Sequence, residues 1–183
     1  LRLLTIQQFQ RAAALMCACE YERRNDTKTW GDLQFNVGLW VGLNTTPNAL
    51  LGKDNYASAE YTLNQWKRPS TIKNPDKRPK KHNPVQLLSC PWCGSELGPT
   101  NYSYKGDEKN LLPEKCRAYC SGKGCFFSRK QIEYNKDSCL PILVVDEDIY
   151  RWSPSLLIST IDKFAQIAWN ETTSSIFGKT DHF

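Results

Sequence analysis

Residues 90–94, Cys-Pro-Trp-Cys-Gly, constrain this chain more than any other stretch. Two thiols with two residues between them, followed by a glycine free to take positive φ, form a tight knuckle. Both sulfurs can then converge on one ion while backbone N–H groups point at them. A knuckle of this kind needs two more ligands, and three candidates follow: Cys116, Cys120 and Cys125. The run "CSGKGC" has two glycines able to fold Cys120 and Cys125 toward a shared point. A CxxC, about two dozen residues, then a second close pair is the signature of a zinc ribbon. The expected ligands are therefore Cys90, Cys93, Cys120 and Cys125, with Cys116 as the replacement if one is wrong. Four thiolates leave no open position for water, so the expected Zn²⁺ is structural and performs no catalysis.

The chain has eight cysteines, a number that would suit a disulfide framework in a secreted protein. No signal-peptide layout is visible, so metal is the better reading and the cytoplasm the expected compartment. Cys17 and Cys19 lie two apart on a predicted helix and face different sides, which leaves them to core packing along with Cys139. His82 and His182 sit in polar, loop-like surroundings and suggest no site.

Around this cysteine-rich segment the pattern alternates between strand and helix. Residues 5–24 place Ile6, Phe9, Ala13 and Met16 on one apolar stripe, and Thr5 with Gln8 has the capping-box pattern. Residues 34–43, "QFNVGLWVGL", read as a buried strand; 55–68 read as a weaker helix. Short strands are expected at 141–145 and 155–160. A helix follows at 160–169, with Phe164, Ile167 and Ala168 on one face. With a chain of 183 residues and a hydrophobic fraction of 40%, these elements suffice for one α/β layer with an insertion. The expected units are 1–66, a basic linker at 67–86, the ribbon at 87–139 and a second α/β part at 140–183. No apolar run approaches the roughly 18 residues of a membrane span, so the chain reads as soluble. Leu1 already lies inside an apolar pattern, which suggests a piece of something longer.

Net charge is +5, and the excess is local. Between Lys67 and His82 seven Lys/Arg face the single Asp76, and three prolines make the stretch a tether. It suits a polyanion such as DNA or RNA, and equally a solvated linker. "LPILVVDEDIY" has the opposite sign and the look of a strand delivering carboxylates to Mg²⁺. A nucleotide site also needs a phosphate cradle, and GxxxxGK[ST] occurs nowhere. The terminal "FGKTDHF" lacks the upstream glycine. Asp146, Glu147 and Asp148 are thus expected to end a strand or cap a helix. No nucleophile–base pair supports a hydrolase that uses them.

Five blocks together are specific: "LRLLTIQQFQRAAALMCACE", "VGLWVGLNTTPN", "CPWCG…C…C", "LPILVVDEDIYR" and "PSLLISTIDKFAQIAW". They resemble the N-terminal motor region of large bacterial superfamily 2 helicases, the DrmA-like group of the DISARM anti-phage system. The resemblance covers nearly the whole chain except the tether and Tyr102–Glu114. It implies a partial RecA-like parallel sheet with helices, interrupted by an inserted zinc ribbon. It implies that Arg2, Thr5 and Gln7 face a nucleic-acid backbone, and that Gly42 permits its close approach. Thr160 and Lys163 would clamp a phosphate at a helix N-terminus. Ile161 stands where the family has Pro, which puts the tightness of that turn in doubt. The resemblance further implies ATP and Mg²⁺ in the intact parent only, sequence-independent DNA binding, and a DrmB-like companion protein. The phosphate loop of such helicases precedes the first block and their DExH strand follows the last, so "VVDED" would not be the Mg²⁺ strand. The competing reading is a stand-alone ribbon that binds nucleic acid or protein through Trp92, Phe126 and Phe127; packing around the ribbon is the simpler role for these rings.

Overall fold

Val37, Leu39 and Trp40 are all within 1% of complete burial, and the strand they form is the middle of a parallel sheet. The computed structural model describes residues 2–42, 44–52, 57–74, 76, 78–131, 137–169 and 171–177. His182 and the "GKT" triplet lie outside them. In chain order the elements are α1 (Arg2–Asn25), α2 (Thr27–Trp30), β1 (Val37–Trp40), α3 (Ala59–Trp66) and α4 (Pro69–Lys73). They continue with β2 (Tyr102–Ser103), β3 (Arg117–Ala118), β4 (Ile142–Leu143), α5 (Asp146–Trp152), β5 (Leu156–Ser159) and α6 (Ile161–Ala165). The fold is mixed α/β: a three-stranded sheet in the order β4-β1-β5, with β2 and β3 as a separate antiparallel pair.

β1 pairs in parallel with both neighbours: Val37 opposes Ile142 and Leu156, and Trp40 opposes Ser159. A central parallel strand is covered on both faces, which explains its continuous apolar run. α1 buries Phe9, Ala13 and Met16 of the stripe expected from the sequence and Cys17 beside them, while Ile6 is half-buried. Glu20, near the end of α1, accepts the N–H of Phe35 at 3.2 Å just before β1 begins. α1 therefore runs back along the sheet, its N-terminal turns toward the carboxyl ends of the strands.

Several elements differ from expectation, among them the helix read at 160–169, which is α-helical only over Ile161–Ala165 and continues as a 3-10 turn. α1 begins at Arg2, so Thr5 lies within the helix and does not cap it. β4 stops at Leu143, because Val145 turns the chain into α5 as its N-cap residue. The tether is partly packed: Pro69 occupies the first turn of α4, Trp66 Nε1 donates to Pro79 O at 3.3 Å, and Asn83 N donates to Thr45 O at 2.9 Å.

One hydrophobic core runs through the α/β layer and the cysteine-rich segment, joining Phe9, Met16, Leu39 and Ile142 to Cys90, Leu97, Tyr102 and Phe127. Among the described residues no helix is long and apolar enough to cross a membrane.

Candidate metal centre and carboxyl edge

The four cysteines that the spacing singled out come together. The sulfurs of Cys90, Cys93, Cys120 and Cys125 all lie within 4.8 Å of one another. Cys93 Sγ is 3.4 Å from Cys120 Sγ, and Cys90 Sγ is 4.0 Å from Cys125 Sγ. A disulfide needs about 2.05 Å; sulfurs at the corners of a tetrahedron around zinc sit roughly 3.8 Å apart, given Zn–S bonds of about 2.3 Å. The cluster is therefore of the size that holds a metal ion, and its donor set of four thiols is the set zinc takes in structural sites. Cys116 lies outside it, buried, with its N–H on Asp148 Oδ2 at 2.8 Å.

Local backbone chemistry explains the convergence. Gly94, at φ 76°, closes the first knuckle with its N–H on Cys90 O at 2.9 Å. In the second knuckle Gly122 donates its N–H to Cys120 Sγ at 3.2 Å. A Cβ on Gly122 would stand 2.6 Å from Ser95 Oγ, 3.1 Å from Cys93 Sγ and 3.3 Å from Cys120 Sγ. Only glycine lets the two knuckles meet here. Burial pushes the Cys90 thiol up to about 11 and raises Cys125 as well. Burial also acts to raise Cys93, but Ser95, through hydroxyl and N–H, and the neighbouring thiols outweigh it and bring the group down to about 6. Cys93 thus ionises readily while Cys90 and Cys125 resist, a resistance that a dication at the centre would overcome.

The ribbon leans on α1. Tyr21 stacks on Trp92 with ring centroids 5.1 Å apart and meets Phe126 edge-on at 5.0 Å. Arg24 lies over Phe126 and Phe127 at 5.3 and 5.4 Å while its Nε donates to Glu20 at 2.7 Å. Phe127 is fully buried, so it is not available to stack on a base. These rings pack the ribbon onto the α/β layer, the simpler of the two roles expected for them.

The carboxyl ends of the parallel strands carry two of the remaining candidates. Gly42 follows β1 by two residues, and a side chain there would meet nothing within 4 Å. Thr160 follows β5 directly, its N–H on Trp40 O at 3.3 Å. Gln7 is exposed on α1 beside Gln10, Arg11 and Ala14, along a shallow surface depression. Thr5 is half-buried; of Arg2 only its backbone place in the first turn of α1 is described. Lys163 is buried, with Nζ 2.5 Å from Asp146 Oδ2 and 5.7 Å from the centre of the Trp40 ring. Of the helix face expected at Phe164, Ile167 and Ala168, only Ile167 is half-buried, packed against the Trp40 cluster, while Phe164 and Ala168 are exposed.

The acidic run has structural partners. Asp146, Glu147 and Asp148 form the first turn of α5, where carboxylates favour the helix dipole. Glu147 accepts the N–H of Leu50 at 2.8 Å, tying the loop after β1 to α5. Sequence reading missed Glu20, the buried hub of α1; the signal was there in Arg23 and Arg24, three and four residues on.

No family model matches the chain. All of the chain aligns with DISARM protein DrmA of Bacillus paralicheniformis (strain ATCC 9945a / NCIMB 11709 / CD-2), 37% identical over 191 residues. The chain spans 14% of that protein's length.

Proposed function

We propose, from this full-length similarity to a segment of DISARM protein DrmA, that the chain is the nucleic-acid-contacting portion of an ATP-dependent DNA helicase or translocase that acts in bacterial phage defence. The alignment is the observation that carries the reading, since it extends over the sheet, the ribbon and the tether alike. The carboxyl edge supports it. In open parallel sheets ligands bind outside the carboxyl ends of the strands, and there Gly42 offers bare backbone while Thr160 offers a hydroxyl. A phosphate backbone lying across this edge would be held without reference to base sequence. Lys163 would join the clamp only by exchanging Asp146 for a phosphate. ATP and Mg²⁺ would bind in the intact parent, with a DrmB-like companion protein as its partner.

We propose further that Cys90, Cys93, Cys120 and Cys125 hold one structural Zn²⁺. The ion would supply no chemistry; it would fix the two knuckles and, through Trp92 and Phe126, the far end of α1.

Two measurements test this reading. Elemental analysis of the purified chain should find one zinc per chain, lost in Cys90→Ser; intact masses showing paired cysteines and no metal would overturn the metal assignment. Gly42→Val adds bulk where nothing crowds it, so the fold should survive while affinity for a labelled oligonucleotide falls about tenfold. Undiminished binding would remove Gly42 from the interface.

A further inference from the structure

Three cations gather around the ribbon's β2–β3 pair. Lys67, which caps the C-terminus of α3, donates its ammonium to Tyr102 O at 3.0 Å. Tyr102 pairs with Ala118 across the hairpin, and the next residue, Tyr119, carries the Arg129 guanidinium 5.0 Å above its ring. Lys105 follows β2 by two residues. Partial burial where the ammonium meets Tyr102 O, then the nearby charges of Arg129 and Lys105, weaken the hold of Lys67 on its proton. All three side chains are exposed, and among the described residues none of them pairs with a carboxylate. Uncompensated like charges at close range repel, and an arrangement that keeps them together favours an anion brought between them.

The tether connects this cluster to the carboxyl edge. Arg78 lies 5.5 Å over the Trp66 ring, one residue before Lys67. From there the chain reaches Asn83, whose N–H is held by Thr45 O, and Thr45 N in turn donates to Gly42 O at 2.8 Å. A basic path thus runs from Gly42 along the tether to the ribbon. We propose that Lys67, Lys105 and Arg129 form a second phosphate-backbone contact, which with Arg78 guides a nucleic-acid strand from the carboxyl edge across the ribbon. The inference rests on the reading that this edge meets nucleic acid.

Anisotropy titration of a fluorescein-labelled oligothymidylate of about thirty nucleotides, at several KCl concentrations, tests it. Lys105→Ala with Arg129→Ala should lower affinity about tenfold. It should also flatten the slope of log K against log salt by about 1.4, two single-strand phosphates at about 0.7 each. Should that double variant melt early, Lys105→Ala alone, at an exposed position, should give half the change in slope. Unchanged affinity and slope, with binding lost in Gly42→Val, would overturn the second contact and leave the edge in place. Loss in the cation variant with normal binding by Gly42→Val would uphold the cluster and overturn the edge. No binding by the unaltered chain at low salt would overturn both.

Discussion

Glu20 is fully buried, and four N–H donors from three residues hold its carboxyl group there. Arg23 reaches it through Nε at 2.8 Å and Nη2 at 2.7 Å, Arg24 through Nε, and Phe35 through its N–H. Glu20→Ala would leave the buried Arg23 without its partner, which costs on the order of 3–5 kcal/mol; urea unfolding should show the midpoint falling accordingly. Asp148 behaves differently. Burial pushes its carboxyl from 3.8 up to about 6, against the pull of the Cys116 N–H. The folded protein then holds this proton more tightly than the unfolded chain does. Its contribution to stability is present in full below about pH 4 and is lost as pH rises through about 6, on the order of 2–3 kcal/mol. Asp148→Asn keeps an acceptor for Cys116 and removes the titration. Stability curves across that window should therefore converge at low pH and separate above it, with the variant the more stable. Lys163 shows what a sequence leaves out at this scale. "TIDKF" suggests an exposed ammonium, but its partner Asp146 lies 17 residues away on another element, and only the folded sheet joins them.

Elements whose logic is local were legible in advance; those set by distant neighbours were not. The CPWCG knuckle and the stripe of α1 depend on residues within a turn or two of each other, and both appear where the pattern placed them. The end of β4 and the start of α1 differ from what local cues suggested. Thr5 has a capping residue's chemistry, but α1 continues past it to Arg2. The second knuckle was legible as a glycine-rich turn, though not why glycine is needed. Gly122→Ala would drive a methyl group into the space between Cys93 and Cys120. The fold should survive while the tetrahedron opens, so competition with a chromophoric chelator should show metal held at least tenfold more weakly. Gly98→Ala, where a side chain meets nothing within 4 Å, should hold metal as the unaltered chain does.

At the scale of the whole molecule, the question is how far the ribbon is part of the layer it interrupts. A self-contained insertion would lose its metal and unfold alone. Here the ribbon shares a core with α1 and β1, and Tyr21 and Arg24 of α1 clasp its rings. Two aromatic pairs and a cation–π contact, at about 0.5–1.5 kcal/mol each, amount to roughly 3 kcal/mol that α1 receives from the ribbon. For a chain of this size about 2–4 °C of Tm accompanies each kcal/mol. Removing metal by chelation should therefore lower the main unfolding transition by about 10 °C and broaden it. Hydrogen exchange should locate the cause: protection lost over residues 87–128, and with it over the last turns of α1 around Tyr21. The amides of β1 should stay protected, because their bonds run to β4 and β5. If chelation freed the ribbon amides alone and left α1 and Tm unchanged, the shared core would have no energetic meaning. The ribbon would then be an independent passenger. If the loss spreads to Tyr21 as argued, the metal sets the far end of the helix whose first turns lie toward the carboxyl edge, and the two candidate sites are joined by a single rigid element.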